Sequence, residues 1–337
     1  MRFFKTTKGV VTLVFGAITA VTGWYVKDIR VIYRDREERL AHVDRMISDT
    51  RHDTSTRNRT IRFDSLKNRS VGDHLEPHAI RGLLQFIRDA RPLDAPCVKP
   101  LERGDPRALP VDVTRALETI LNLQQRQRRV HSRVDRLADA VFAITSPELV
   151  EPSGPPSLDN TDLRGADMSG FDLRSGSLRG SCLAGAHLDS ATLDGTKFER
   201  AVLRSAFLQD AHGSNVRFDR ADLTDADLSG AELRRARFLG ATLSCATFGN
   251  ARLDSAFMSS AVANWTYFGG ATLIGVEKWN EIIGFRGAYL AQVQGLPDSL
   301  VAFAHARGAA PDTVSSRAWS ASRQAQLAPR GLCAPPA

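Results

Sequence analysis

The 337-residue sequence has little cysteine, methionine, tryptophan or tyrosine, four of each, and only 7% aromatic residues in all. Cys97, Cys182, Cys245 and Cys333 show no CxxC or CxH spacing. That excludes the common zinc and cluster motifs and gives no disulfide framework, so the cysteines read as isolated small residues in a reducing compartment. There is no GxSxG, phosphate-binding GxxxxGK, HExxH or GxGxxG stretch, which removes the usual signatures of hydrolases, nucleotide enzymes and zinc proteases. His42, His52, His74, His78 and His131 are scattered, and His187 and His212 lie 25 positions apart. No catalytic, metal-ligating or cofactor-binding residue is expected, and an enzyme is not.

Long apolar runs are also missing, with one exception. Residues 9–26, GVVTLVFGAITAVTGWYV, carry no charge, the short end of what spans a bilayer. Trp24 and Tyr25 stand where an interfacial aromatic belt belongs. The small-x-small pattern of a cleavable signal peptide is poor here, because Ile18 and Val21 occupy the position three before a cut at Ala20 or Gly23. An uncleaved single-pass anchor over 1–29 is expected. Arg2, Lys5 and Lys8 precede the run, and Lys27, Arg30, Arg34, Arg36 and Arg39 follow it. Counting Lys and Arg, this places the rest of the chain in the cytoplasm.

The net charge of +7 is uneven. Residues 1–155 hold 27 Lys/Arg against 20 Asp/Glu, and residues 156–275 hold 12 against 14. Within 30–145 the charged stretch RVIYRDREERLAHVDRMIS reads as helix. EPHAIRGLLQFIRDARP puts Ile80, Leu83, Leu84 and Ile87 on one helical stripe and is stopped by Arg91-Pro92. LPVDVTRALETILNL does the same with Ala116, Leu117, Ile120 and Leu121. A basic run, QQRQRRVHSRVDRLADAVFAI, follows, and its arginines suit a solvated face or anionic lipid. The Pro/Ser-rich stretch over 146–160 is a linker.

From Thr161 to Gly275 an apolar residue returns every fifth position, which fits neither a helix nor a flat strand. Numbering each pentad by its centre i, the centre is Leu, Phe or Met in 21 of 23, position i−2 is Ala in 16, and i+2 is Gly, Ser, Asn or Asp in 18. One large and one small inward residue per pentad fill a narrow interior, and the turn-forming residue at i+2 bends the chain. Four bends close a square coil of 20 residues. Coils then stack at about 4.8 Å, the strand spacing, giving roughly six coils and about 28 Å of height. The register is visible in the sequence itself. Phe198, Phe218 and Phe238 recur at 20-residue intervals as a core ladder, flanked by Leu178 and Met258, and Phe248 and Phe268 form another. One coil cannot bury its own apolar face, so such an array must be long and capped. Gly213 and Ala263 are undersized centres where local irregularity is expected.

The stretches ADLTD, ADLSG, AELRR and ADMSG resemble the A(D/N)LxX motif of the pentapeptide-repeat family. The resemblance covers about a third of the chain and implies a right-handed quadrilateral β-helix. With its N-terminal hydrophobic segment and helical region, the whole is similar to membrane-associated bacterial pentapeptide-repeat proteins. The expected architecture is an all-β solenoid over 161–275 behind a transmembrane helix and a helical membrane-proximal region over 30–145. A cap over 276–307, with a helix starting at Pro297, and a disordered Ala/Ser/Pro-rich tail over 308–337 complete it.

Sorting outward residues by coil face separates the charges. Arg179, Lys197, Arg200, Arg217, Arg220 and Arg237 form a basic face. Asp167, Asp189, Asp210 and Asp227 lie on a face without Lys or Arg. Either charged surface keeps a rod soluble, and the basic one also suits phospholipid or an acidic partner. Phe207 and Phe257 occupy outward i−1 positions, where a partner or a second copy of the chain could meet them. The expected function is a membrane-anchored scaffold or protein-interaction module in the bacterial inner membrane, with an unidentified protein partner and no nucleic acid. The resemblance also implies an alternative, a DNA-mimicking inhibitor or protector of a type II topoisomerase. Duplex DNA carries one charge per about 1.7 Å, and 14 acids against 12 bases over the array do not imitate that.

Overall fold

A computed structural model describes residues 76–91, 109–130, 157–310 and 315–327, with isolated positions at 38–59, 93 and 97. The apolar run 9–26, the basic run beyond 130, most of the linker and the end of the tail lie outside the described residues. The chain divides into two compact units, Met1–His52 and Asp53–Ala337. Described residues of the first unit between 38 and 49 are helical. No described helix is long and apolar enough to cross a membrane.

The second unit is built on the coil that the five-residue period dictates. Twenty-one parallel β-bridges link residues 20 apart, from Ser157↔Ser177 to Phe257↔Glu277. Every bridging residue there is the i−1 residue of its pentad. Each corner carries a positive φ at i+2, without exception from Asn160 to Gly275. At most corners the N–H of residue i+3 returns to the carbonyl of i, as in Ala166 to Leu163 at 3.0 Å and Ala206 to Leu203 at 3.1 Å. Positive φ at the third residue of a hydrogen-bonded four-residue turn is the type II pattern, which explains the Gly, Asn, Asp and Ser there. Arg200, Arg220, Arg235, Cys245 and Trp265 adopt it too, at φ 60, 59, 54, 65 and 58°. An L side chain with a Cβ disfavours this region, so the ladder above and below holds these five in place.

The interior is filled by the i and i−2 residues. Phe198, Phe218 and Phe238 stack with centroids 5.2 Å apart and planes within 7°. Phe248 and Phe268 stack at 5.3 Å, and Phe248 meets Phe238 edge-on at 5.9 Å across the interior. Where a hydroxyl replaces the small alanine it is buried and satisfied: Thr196 and Thr266 donate to Leu173 and Leu243 carbonyls of the preceding coil at 2.8 and 2.7 Å. At Gly213 the absent side chain is compensated by Val216, which replaces alanine and is fully buried. A Cβ on Gly213 would stand 2.7 Å from Val216 Cγ2 and 2.9 Å from Leu193. Ser214 and Asn215 there form a bend in place of the usual turn.

The solenoid is longer than the expected 161–275. It begins at Ser157, inside the expected linker, with Leu158 already buried. It does not end at Gly275. A 3₁₀ turn, Trp279–Glu281, adds two residues, and the ladder resumes 22 apart at Val262↔Gly284, Tyr267↔Tyr289 and Thr272↔Gln294. The column from Asp162 to Gly284 thus has seven levels, about 29 Å at the strand spacing. The expected halt was an artefact of a frame shifted by two.

Both ends are covered, as open sheet edges require. Helices α1 (Glu76–Ala90) and α2 (Val111–Val130) pack on one another, with Ala79, Leu83, Phe86 and Ile87 of the first and Val113, Ala116, Leu117 and Ile120 of the second buried. Arg59 reaches this pair, bonding Asp112 at 2.7 Å and lying 5.6 Å above the Phe86 ring. The pair caps the first coil rather than standing apart as a separate region. Leu93 N–H donates to the Asn160 carbonyl and Asp162 N–H to the Arg91 carbonyl, both at 2.9 Å. Asp162 is gripped by Arg91 at 3.0 Å and by Arg164. Burial raises its carboxyl pKa, but the hydrogen bonds from Arg164 and the charges of Arg91 and Arg164 outweigh this and hold it below its ordinary 3.8.

Cys97 and Cys182 form a disulfide with Cα atoms 5.5 Å apart across 85 residues of sequence. Cys245 is disulfide-bonded as well, and no described cysteine is a free thiol. This corrects the expectation of isolated reduced cysteines. Spacing along the sequence carries no information about a pair brought together by a cap folding back on a coil.

At the other end, α3 (Asp298–Ala306) buries Leu300 and Ala304 and sets Phe303 against Trp279 and Phe285 at 5.4 and 6.2 Å. Ala310 N–H donates to the Ala288 carbonyl at 2.8 Å, extending the Tyr267–Tyr289 column. The expected disordered tail contains α4 (Ser316–Leu327), held by Trp319, which is buried against Tyr267 and Tyr289 at 5.4 and 5.6 Å. Its indole N–H donates to the Gly287 carbonyl at 2.6 Å.

Candidate interaction faces

Outward positions i−1, i+1 and i+2 rise in vertical columns, because the ladder fixes their register. Lys197, Arg217 and Arg237 bridge one another on successive coils. Arg200 and Arg220 project from the corners directly above one another and are exposed. Arg179 lies on the same face, one coil below Glu199. The expected basic residues are therefore brought together.

The face is less purely basic than the sequence suggests. Glu199 and Asp219 sit at i+1 between the cations. Arg179 bonds Glu199 at 3.1 Å, Arg217 approaches it at 3.7 Å, and Arg237 meets Asp219 at 3.3 Å. Burial raises the Glu199 pKa, but its bond from Arg179 and the charges of Arg179 and Arg217 outweigh that and lower it. Lys197, Arg200 and Arg220 have no ion-pair partner among the described residues. They are the cations of this face that no carboxylate among the described residues pairs with.

The expected acidic residues share a face but form no continuous anionic column. Along i−1 the order is Asp167, His187, Phe207, Asp227, Thr247, Tyr267, Tyr289. Asp227 accepts from the Ser229 N–H at 2.9 Å and from Gln209 Nε2 at 2.9 Å, and Asp189 accepts from the Gln209 N–H at 3.1 Å. Asp167 accepts from the Ser169 N–H at 3.1 Å. These carboxylates tie down loops; Asp210, at a corner, is exposed.

Phe207 has a neighbour within its own column. Its ring stacks on His187 at 4.6 Å and 10°. Tyr267 and Tyr289 repeat that arrangement at 5.0 Å and 3°, and there Trp319 covers the stack. The sequence hides this aromatic column because Asp227 and Thr247 separate its members. Phe257 lies half-buried above Arg237. Among the described residues no group of three or more His, Cys, Asp or Glu could hold a metal ion.

Residues 157–195, 181–218 and 221–259 match the pentapeptide-repeat family, in eight copies of the family model. The pentapeptide solenoid seen here is thus shared with that family. Among solved structures, the chain is similar to HetL, a pentapeptide repeat protein involved in heterocyst differentiation regulation in the cyanobacterium Nostoc sp. strain PCC 7120. The identity is 27%, over 41% of this chain and 71% of that one, with a TM-score of 0.21. A pentapeptide repeat protein of the Arabidopsis thaliana thylakoid lumen is 25% identical over 49% of this chain and 92% of its own, with a TM-score of 0.24. QnrB1, a plasmid-mediated fluoroquinolone resistance protein, is 19% identical over 43% and 84%, with a TM-score of 0.28. No curated protein matches the chain in sequence.

Proposed function

We propose that this chain is a non-enzymatic interaction module, a rigid pentapeptide-repeat rod tethered to a bacterial membrane through residues 9–26, whose basic face meets an anionic partner surface. The observation that supports this reading is the cluster Lys197, Arg200 and Arg220. Their columns repeat at the coil spacing, and they lack the internal carboxylates that occupy Arg179, Arg217 and Arg237. Surface cations on a stiff scaffold lose little conformational freedom on binding beyond their own side chains, and solenoid faces serve as extended binding surfaces.

The topoisomerase-directed alternative finds less support in the surface. Several acids of the array are internally neutralised: Asp222 by Arg204, and Asp254 by Arg234 and Arg252 at 4.0 and 3.9 Å. A DNA mimic needs a continuous unpaired row.

The test is charge reversal. Lys197→Glu, Arg200→Glu and Arg220→Glu together should abolish flotation of the protein with vesicles containing anionic phospholipid, or its cross-linking to an acidic partner, while leaving its melting temperature nearly unchanged. Undiminished contact in both assays would overturn the reading.

A further inference from the structure

The Cys97–Cys182 bond joins two parts of the molecule that the backbone already brings together. Cys97 follows the segment in which Arg91 and Leu93 pair with Asp162 and Asn160. Cys182 stands one coil above Asp162, with which it forms a bridge, and is fully buried. The Cα separation of 5.5 Å falls in the range that disulfides require. Cys245 is the second observation, independent of the first. It occupies a left-handed corner, φ 65°, where the array otherwise favours Gly, Ser, Asn and Asp, and it too is disulfide-bonded. Cysteine is scarce in this chain, yet Cys97, Cys182 and Cys245 are all committed to disulfides.

Thiols are kept reduced in the cytosol, and disulfides persist in secreted, periplasmic or lumenal proteins. We infer that the solenoid and its helical caps fold in an oxidising compartment, across the membrane from the cytoplasm, and that Cys97 and Cys182 are an oxidative modification site that locks the helical cap onto the first coils.

The chemistry is exchange with a donor disulfide. One cysteine, as thiolate, attacks a donor sulfur and breaks the donor S–S bond; the other then attacks that mixed disulfide. The Sγ–Sγ bond forms, and the donor leaves as a dithiol carrying the two electrons and two protons. This assignment opposes the Lys/Arg count around residues 9–26. That count differs by two residues and only biases insertion, whereas a reducing compartment removes the cross-link itself.

The test uses the full chain with its own N-terminus, expressed in bacterial cells and quenched in acid to freeze thiol states. Free thiols are blocked with N-ethylmaleimide in denaturant, so that a buried thiol reacts as readily as an exposed one. The protein is then reduced, and newly released thiols receive a mass-shifting maleimide, located by peptide mass spectrometry. In most molecules Cys97 and Cys182 should take the second label only. First-label modification of both in most molecules would overturn the inference. Cys97→Ser should move Cys182 to the first label while Cys245 stays protected, and continued protection of Cys182 would overturn the pairing. None of these readouts involves the basic face, so their failure is distinct from failure of the interaction reading.

Discussion

Gln124 turns its amide onto the backbone of Asp172, donating to its carbonyl at 2.8 Å and accepting from its N–H at 2.9 Å. One side chain of α2 thus supplies what the coil below would have supplied had the solenoid continued. Gln124→Ala leaves both groups without that partner, and unmade buried hydrogen bonds cost about 1–3 kcal/mol each. The variant should lose about 2 kcal/mol in denaturant unfolding. Amide exchange should accelerate around Asp172 and not in the Phe248–Phe268 coils.

Phe218 lies between two parallel rings at 5.2 Å and is fully buried. Truncating Phe218→Ala removes both contacts and opens a cavity that neighbouring coils, fixed by their ladder, cannot close. A loss of about 3–5 kcal/mol is expected. Phe218→Leu, matching the commonest centre residue, should recover more than half. Equilibrium urea titration measures both; equal losses would show that volume is not what matters there.

The solenoid was legible in the sequence because one rule repeats in every pentad: large at i, small at i−2, turn-forming at i+2. Each violation is locally readable, as with Gly213. What was not legible depends on events outside the repeat. The two residues added at the Trp279–Glu281 turn broke the count, so Tyr289 and Gln294 lost their apparent register. Trp319 is the one buried residue among the described side chains of a polar helix, which leaves no apolar stripe to detect. The sequence places the cations of the basic face but hides their pairing with Glu199 and Asp219, which lie one coil away from their partners. Two cues to the disulfides were present, Cys182 at an outward position and Cys245 at a turn position, where most pentads carry polar or turn-forming residues.

Asp162 contributes a pH dependence of definite sign. Its folded-state pKa lies below the ordinary 3.8, through Arg164 and Arg91 acting against burial. Its stabilising effect is therefore complete above pH ~3.8 and disappears as the pH falls through the lower folded-state value. Unfolding free energies measured downward from neutral pH should decline less steeply below pH ~4 in Asp162→Asn than in the parent, from a lower starting value. Identical slopes would sink this assignment.

The docking of α4 rests on Trp319. Trp319→Ala should make residues 316–327 sensitive to limited proteolysis while the solenoid melts as before. Trp319→Phe keeps ring contact with Tyr267 and Tyr289 but loses the bond to Gly287, and should show intermediate protection. Cleavage kinetics followed by mass spectrometry separate the three proteins.

The interruption at Trp279–Glu281 has a broader consequence. The ladder advances by 22 residues there and by 20 below it, yet Tyr289 still stacks on Tyr267 with planes 3° apart. The rod therefore keeps count by corners, not by residues. Extra chain inserted at a corner loops outward, and the next side starts in step. Such a scaffold can acquire or lose surface loops one corner at a time without retuning its interior, and the same corner is where foreign segments could be grafted for display.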